Sequence, residues 1–199
     1  MNVTATNLGK RFNREWVFRN FNFEFSSGKT YAITGPNGCG KSTMMQVLWG
    51  QMHPSAGILQ YSDVEPSEIY KSVAIAAPYM DLIDELTTEE MILFHFKFKK
   101  SRLPVGDILK NSGLGASRNK PIQSFSSGMR QRLKLTLAFY SEADLIFLDE
   151  PCTNLDKTSI EWYHDHLRQL PANSIIFIAS NQEQEYPASA VMIDIMSYK

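Results

Sequence analysis

Cysteine is scarce in this chain: Cys39 and Cys152 are the only two among 199 residues, and they stand in unrelated segments. That argues against a disulfide framework and fits a reducing compartment. Long hydrophobic runs are missing too. No stretch approaches the roughly 20 apolar residues of a membrane span, and the amino terminus lacks the basic-then-apolar pattern of a signal peptide, so the chain is not expected to cross a membrane by itself. An excess of one charge is also absent. With 20 basic and 21 acidic side chains the net charge is −1, which indicates no bulk attraction to nucleic acid or anionic lipid. The four histidines, His53, His95, His164 and His166, show no metal-ligand spacing; the last two sit two apart on an expected helix and so diverge. There is no internal repeat or low-complexity stretch. A hydrophobic content of 43% over 199 residues suffices for a buried core, and one domain with a subdomain is the natural count.

What is present begins with Gly35-Pro36-Asn37-Gly38-Cys39-Gly40-Lys41-Ser42-Thr43, a G-x-x-x-x-G-K-[ST] loop directly after the apolar run from Lys29 to Thr34. Glycines at these spacings let backbone N–H groups wrap phosphates without side-chain crowding. Lys41 then reaches the β and γ phosphates, and the Ser42 hydroxyl ligates Mg²⁺. A chance Gly-rich turn is the bland alternative, and the flanking pattern disfavours it. An apolar strand precedes the loop, while Met44, Met45, Val47, Leu48 and Trp49 form a helical run closed by Gly50.

Further along, Leu145-Ile-Phe-Leu-Asp149-Glu150 reads as a buried parallel strand ending in two carboxylates at its functional edge. Alone, such a strand is more often only a strand end. Beside a nucleotide loop, Asp149 becomes a candidate to hold Mg²⁺ through water, and Glu150 a candidate to polarise the attacking water.

Between these elements lies Ser124-Phe-Ser126-Ser127-Gly128-Met129-Arg130-Gln131-Arg132. Physically it is a helix start: Ser126 can cap, and free N–H groups with the helix dipole favour an anion there. It resembles the signature of ABC ATPases, usually Leu-Ser-Gly-Gly-Gln followed by basic residues. The resemblance extends over nearly the whole chain. Phe12 falls where the family has an aromatic that stacks on adenine, and Val17 lies near the next adenine-facing position. Pro151-Cys-Thr-Asn154-Leu155-Asp156 resembles the loop after the catalytic glutamate that crosses the dimer interface. Read without the family, Phe12 could be a core aromatic and Asp156 a plain helix cap.

Two departures stand out. The family usually has a glutamine at the junction into its helical subdomain, where it contacts Mg²⁺ and water and senses the transporter. Here the junction reads Val73-Ala-Ile-Ala-Ala-Pro78-Tyr79-Met-Asp81, and no glutamine occurs between Tyr61 and Ile122. After the strand Ser174–Ala179 the family has a small residue and then a switch histidine, whereas this chain has Ser180-Asn181. A neutral amide at Asn181 can still donate a hydrogen bond, without the charge-assisted component.

Periodicity outlines the rest. Phe21, Phe23 and Phe25 alternate with polar residues over 16–25, which predicts a half-buried antiparallel strand and hence a small β layer. From about Asp81 to Arg132 the pattern turns helical, with a capping box Thr87-Thr-Glu-Glu90 ahead of an apolar run from Met91 to Phe98 that Lys97, Lys99 and Lys100 close favourably for the dipole. Ile160, Tyr163, Leu167 and Leu170 mark one helix face starting near Asp156 and stopped by Pro171. Strands at 174–179 and 190–195 complete the sheet.

The fold class expected is α/β, a P-loop NTPase core with a mostly parallel central sheet, a small antiparallel β layer and an inserted helical subdomain. A single ABC-type domain spans 1–199, with 81–132 as the subdomain and 1–80 plus 133–199 as the core, and no extra carboxyl-terminal domain is expected. The resemblance implies a Mg²⁺-dependent ATPase subunit, slow in isolation, whose catalytic residues are Glu150, Lys41 and Asn181. Its ATP contacts are Phe12, Val17, Gly35 to Thr43, and Ser126, Gly128 and Asp156 acting on a partner's nucleotide. It implies pairing with itself or a paralogue, docking on transmembrane permease subunits, a cytoplasmic place at the inner face of the cell membrane, and no nucleic-acid partner. The alternative is a soluble, non-transport ABC ATPase acting as a nucleotide-dependent switch on a partner protein.

Overall fold

A computed structural model describes residues 1–62 and 64–199. The chain opens with β1 (Val3–Phe12) and β2 (Glu15–Phe25), an antiparallel pair in which Val3 faces Phe25 and Phe12 faces Glu15. Phe21 and Phe25 are buried with Phe23 half-buried between them, as alternation requires of a sheet with one covered face. Phe18, three residues from Phe21, is buried too, because the strand is irregular between them, with Asn20 at φ 54°. The chain runs on through β3 (Thr30–Thr34) and α1 (Lys41–Leu48), then returns as β4 (Ala56–Tyr61) to complete a three-stranded sheet of order β2-β1-β4.

The remaining strands are β5 (Val73–Ala76), β6 (Leu145–Asp149), β7 (Ile175–Ala179) and β8 (Val191–Asp194), and with β3 they form a five-stranded sheet of order β5-β6-β7-β3-β8. The β6–β7, β7–β3 and β3–β8 registers are parallel. Every residue of β6 and β7 is buried, which is why both read as unbroken apolar runs rather than alternations. An aromatic column ties this sheet to β2. Phe147 stacks on Phe177 with ring centroids 4.5 Å apart, Phe177 meets Phe25 at 4.9 Å, and Trp49 closes on Phe147 at 5.1 Å. Such pairs contribute about 0.5–1.5 kcal/mol each beyond their buried area.

Two compact units emerge: Met1–Val73 with Asp144–Asp149 and Pro171–Lys199, and Ala74–Ala143 with Glu150–Leu170. The second holds α2 (Thr88–His95), α3 (Val105–Asn111), α4 (Ser127–Tyr140) and α5 (Lys157–Arg168). The capping box forms as expected: Glu90 N–H donates to Thr87 Oγ1 and Thr87 N–H to Glu90 Oε2. One expectation is corrected. Helix α2 ends at His95, so Phe98 and the lysines at 97, 99 and 100 lie beyond it. The chain there is drawn into pairing with the end of α4, through Arg102 N–H to the Tyr140 carbonyl and Glu142 N–H to the Lys100 carbonyl. Those bonds compete successfully with another helical turn. No helix among the described residues is long and apolar enough to cross a membrane.

Candidate functional site

The parallel registers gather the candidate residues of the first unit along one edge. Asp149 on β6 is level with Ala179 on β7, Ala179 is level with Ile33 on β3, and Thr34 is level with Asp194 on β8. The chain leaving each strand therefore emerges at the carboxyl end of the sheet, the place where open α/β sheets bind ligands. The loop 35–40 leaves β3 there, and Ser180-Asn181 leaves β7 beside it.

The loop is built for close backbone approach. Pro36, Asn37 and Gly38 are exposed at its tip, and Cys39 N–H donates to the Pro36 carbonyl at 3.2 Å, folding the tip into a turn. Gly40 caps α1 with φ 110°, and no side chain caps the helix. A Cβ on Gly40 would lie 2.1 Å from Val17 Cγ1, so the position admits only glycine. The first N–H groups of α1 are thus left for an anion. Lys41 is 5% exposed, and its Nζ donates to the Gly35 carbonyl at 2.8 Å and the Pro36 carbonyl at 3.2 Å. The ammonium is held inside the curl of the loop, where phosphate oxygens would compete for it.

The other candidates of this unit lie close by. Asn181 Nδ2 donates to Asn37 Oδ1 at 3.2 Å, which brings the expected switch position against the loop. Asp149 is buried to 1% exposure at the strand end. Val17 packs on Gly40, and Phe12 stands 49% exposed at the end of β1 with Lys10 Nζ 5.4 Å from its ring centroid. An exposed aromatic flanked by a cation is not a core residue. Sequence reasoning missed two supports of the loop. Ile195 approaches both Gly35 and Gly40, and Lys199 Nζ donates to the Cys39 carbonyl. Neither carries a motif that could have revealed it.

The second unit presents the remaining candidates. Glu150 adopts φ 46°, a left-handed conformation uncommon for a non-glycine residue. It is fixed by Gln131 Nε2, which donates to the carbonyls of Glu150 at 3.4 Å and Pro151 at 2.9 Å, and by Thr153 Oγ1, which donates to Glu150 Oε2 at 3.4 Å. Gln131, missed as a functional residue although it lies in the quoted motif, thus positions the carboxylate's backbone. Ser126 caps α4 by accepting from Met129 N–H. A Cβ on Gly128 would lie 2.7 Å from the Asn154 carbonyl oxygen, so residues 152–156 can cross the first turn of α4 only over a glycine. Asp156 caps α5, and hydrogen bonds from the Ser159 hydroxyl and from the Ser159 N–H, the latter at 2.8 Å, hold its carboxyl below the usual carboxylate range.

A nucleotide loop, a signature-like helix start and a strand ending in two carboxylates occur here in one chain, and the family model described as ABC transporter matches residues 18–153. The chain belongs to the ABC transporter family. It is 29% identical over 177 residues to the daunorubicin/doxorubicin resistance ATP-binding protein DrrA of Streptomyces peucetius, covering 84% of this chain and 54% of that protein. It is 27% identical to the lantibiotic transport ATP-binding protein SrtF of Streptococcus pyogenes, covering 88% of this chain and 77% of that one. The chain therefore spans only about half the length of some curated relatives it matches, 54% for DrrA. In structure it superposes on a dimeric, post-hydrolysis ATP-binding cassette bound to ADP and Pi with TM-score 0.77 and 22% identity, over 90% of this chain and 88% of that chain. At that identity the likeness shows the ABC ATPase fold.

Proposed function

We propose that this chain is the ATP-binding and ATP-hydrolysing subunit of a membrane ABC transporter and acts as a dimer. The observation that carries the reading is the loop 35–43, with Lys41 held inside it by two loop carbonyls and the uncapped start of α1 behind it. ATP is clamped by the loop amides and Lys41, with Phe12 and Val17 against adenine, while Ser126, Gly128 and Asp156 of the partner close the site. Glu150, fixed by Gln131 and Thr153, orients the attacking water, and Asn181 donates toward the γ-phosphate.

The donor set fits Mg²⁺. Among the described residues no cluster of three His, Cys, Asp or Glu side chains forms a protein cage, and Mg²⁺ prefers one or two protein oxygens together with substrate phosphates. The Ser42 hydroxyl and the Asp149 carboxylate would supply those two oxygens. When bound, the ion would act as a Lewis acid and neutralise charge developing on the transferred phosphoryl group. The chain works as a single ABC-type domain, with the signature carried by the unit that includes α4. Its permease subunits hold it at the cytoplasmic face of the membrane.

The test is ATP turnover against ATP binding. Glu150→Gln should retain ATP binding and lose nearly all hydrolysis. Parental hydrolysis in that variant would sink the assignment of Glu150. The second reading, a soluble switch acting on a partner protein, draws on the junction 73–81 without a glutamine. Purification from membranes with multi-spanning partners favours transport, and recovery only from the soluble fraction favours the switch.

A further inference from the structure

The segment that follows β5 is where a glutamine is expected and Ala77-Pro78-Tyr79 stands. Two cations of α4 hold it. Lys134 Nζ donates to the Ala77 carbonyl at 3.3 Å and the Pro78 carbonyl at 2.9 Å. One turn earlier, Arg130 Nη1 pairs with Asp84 Oδ1 at 2.7 Å. Residues four apart share a helix face, so a single stripe of α4 grips residues 77–84 near both ends. The segment is shaped to be gripped. Met80 N–H donates to the Ala77 carbonyl at 3.1 Å, closing a turn that leaves Tyr79 42% exposed. At the far end, Gln123 N–H donates to the Asp84 carbonyl at 3.0 Å, tying the segment to the chain entering α4. Burial draws the Lys134 ammonium below the usual lysine range, with Asp81 opposing that shift and Arg130 adding to it. A half-desolvated ammonium aimed at two carbonyls is a more specific arrangement than a solvated surface lysine.

We infer that Arg130 and Lys134 form a clasp that makes residues 77–84 and the signature helix move as one piece. A displacement at the exposed Tyr79–Met80 turn is then delivered to Ser126 and Gly128 at the start of α4. In a chain with no glutamine here, the partner's signal goes to the signature rather than to the metal. Arg130 and Lys134 are positioning residues in this arrangement. The inference rests on the reading of Ser126 and Gly128 as contacts to a partner's nucleotide.

The test is amide hydrogen exchange, followed by mass spectrometry, of peptides covering 77–86 and 126–134. The proteins are Glu150→Gln alone and Glu150→Gln combined with Lys134→Met or Lys134→Arg, each with and without ATP. Without nucleotide, Lys134→Met should exchange about three- to tenfold faster over 77–86, and Lys134→Arg, which can still reach two carbonyls, should restore the slower rate. With ATP, both peptides should slow together in the Glu150→Gln protein, whereas in Lys134→Met only 126–134 should slow. Equal protection of 77–86 by ATP in both proteins would overturn the clasp, as would unchanged exchange without nucleotide. If ATP leaves 126–134 unprotected in Glu150→Gln itself, the dimer reading fails instead, and the nucleotide-free comparison still decides whether the clasp exists. An unfolding curve for Lys134→Met shows whether the change is local.

Discussion

Replacing Gly40 with alanine should damage both the fold around the phosphate loop and its grip on ATP. The residue sits at φ 110°, and an added Cβ would meet Val17 Cγ1 at 2.1 Å and Ile195 Cδ1 at 3.5 Å. Ordinary carbon contacts lie near 3.5–4.0 Å, so the first is a severe overlap with a branched side chain that has little room to yield. The backbone conformation costs about 1–3 kcal/mol for a residue with a side chain, and overpacking costs about 1–3 kcal/mol more. Together these make about 2–6 kcal/mol, divided between stability and binding according to whether the loop relaxes before ATP arrives. If all of it appeared in binding, affinity would fall by about 30-fold or more, at 1.36 kcal/mol per tenfold. Denaturant unfolding and a fluorescent-nucleotide titration on the same preparation give the two shares. Gly38→Ala is the control. It has φ 76° and nothing within 4 Å of an added Cβ, so only the backbone cost applies. Adding Val17→Ala to Gly40→Ala should recover part of the stability but not the affinity, because Val17 is itself a candidate adenine contact. The reasoning is refuted if Gly40→Ala is no worse than Gly38→Ala in either assay.

Three further outcomes follow from particular contacts. Asn181→His should raise steady-state hydrolysis at saturating ATP about three- to thirtyfold, because a charge-assisted hydrogen bond is worth roughly 1–2 kcal/mol more than a neutral one; an unchanged rate would remove Asn181 from the switch role. Lys41→Met should weaken nucleotide binding while leaving the unfolding midpoint nearly unchanged, since among the described residues the Lys41 ammonium donates to two loop carbonyls, those of Gly35 and Pro36, and unaltered ATP affinity would contradict the loop assignment. His95, half-buried and bonded through Nε2 to Ser141 Oγ, has its pKa lowered to about 4, chiefly by desolvation and then by Lys99. Its neutral form is favoured in the fold, so its contribution, about 2–3 kcal/mol, is complete above pH 6.5 and is lost as pH falls toward 4. Unfolding curves of His95→Gln should show a flatter pH dependence across that window, and parallel curves would exclude His95 as the cause.

How far the sequence reaches depends on how local the determinant is. The loop 35–43, the strand ending at Asp149-Glu150 and the capping box of Thr87 and Glu90 are contiguous, so residue order alone predicts them. The registers that bring Asn181 beside Asn37, or Asp149 level with Ala179, join residues far apart along the chain, and they were legible only through the resemblance. Helix α2 was overextended because Phe96 and Phe98 look as apolar as a helix face, whereas the bonds from Arg102 and Glu142 that end it are tertiary. Lys134, Lys199 and Ile195 act through backbone contacts to distant segments. Nothing in their own neighbourhood in sequence distinguishes them from ordinary surface or strand residues.

The central claim, a nucleotide site completed by a second cassette, is tested most directly by light scattering on Glu150→Gln protein titrated with ATP and Mg²⁺. The account predicts a monomer without nucleotide and with ADP, and a doubling of mass as ATP saturates. The mass gain should disappear when Lys41→Met is added. A protein that saturates with ATP yet keeps a monomer's mass at high concentration would contradict the homodimer.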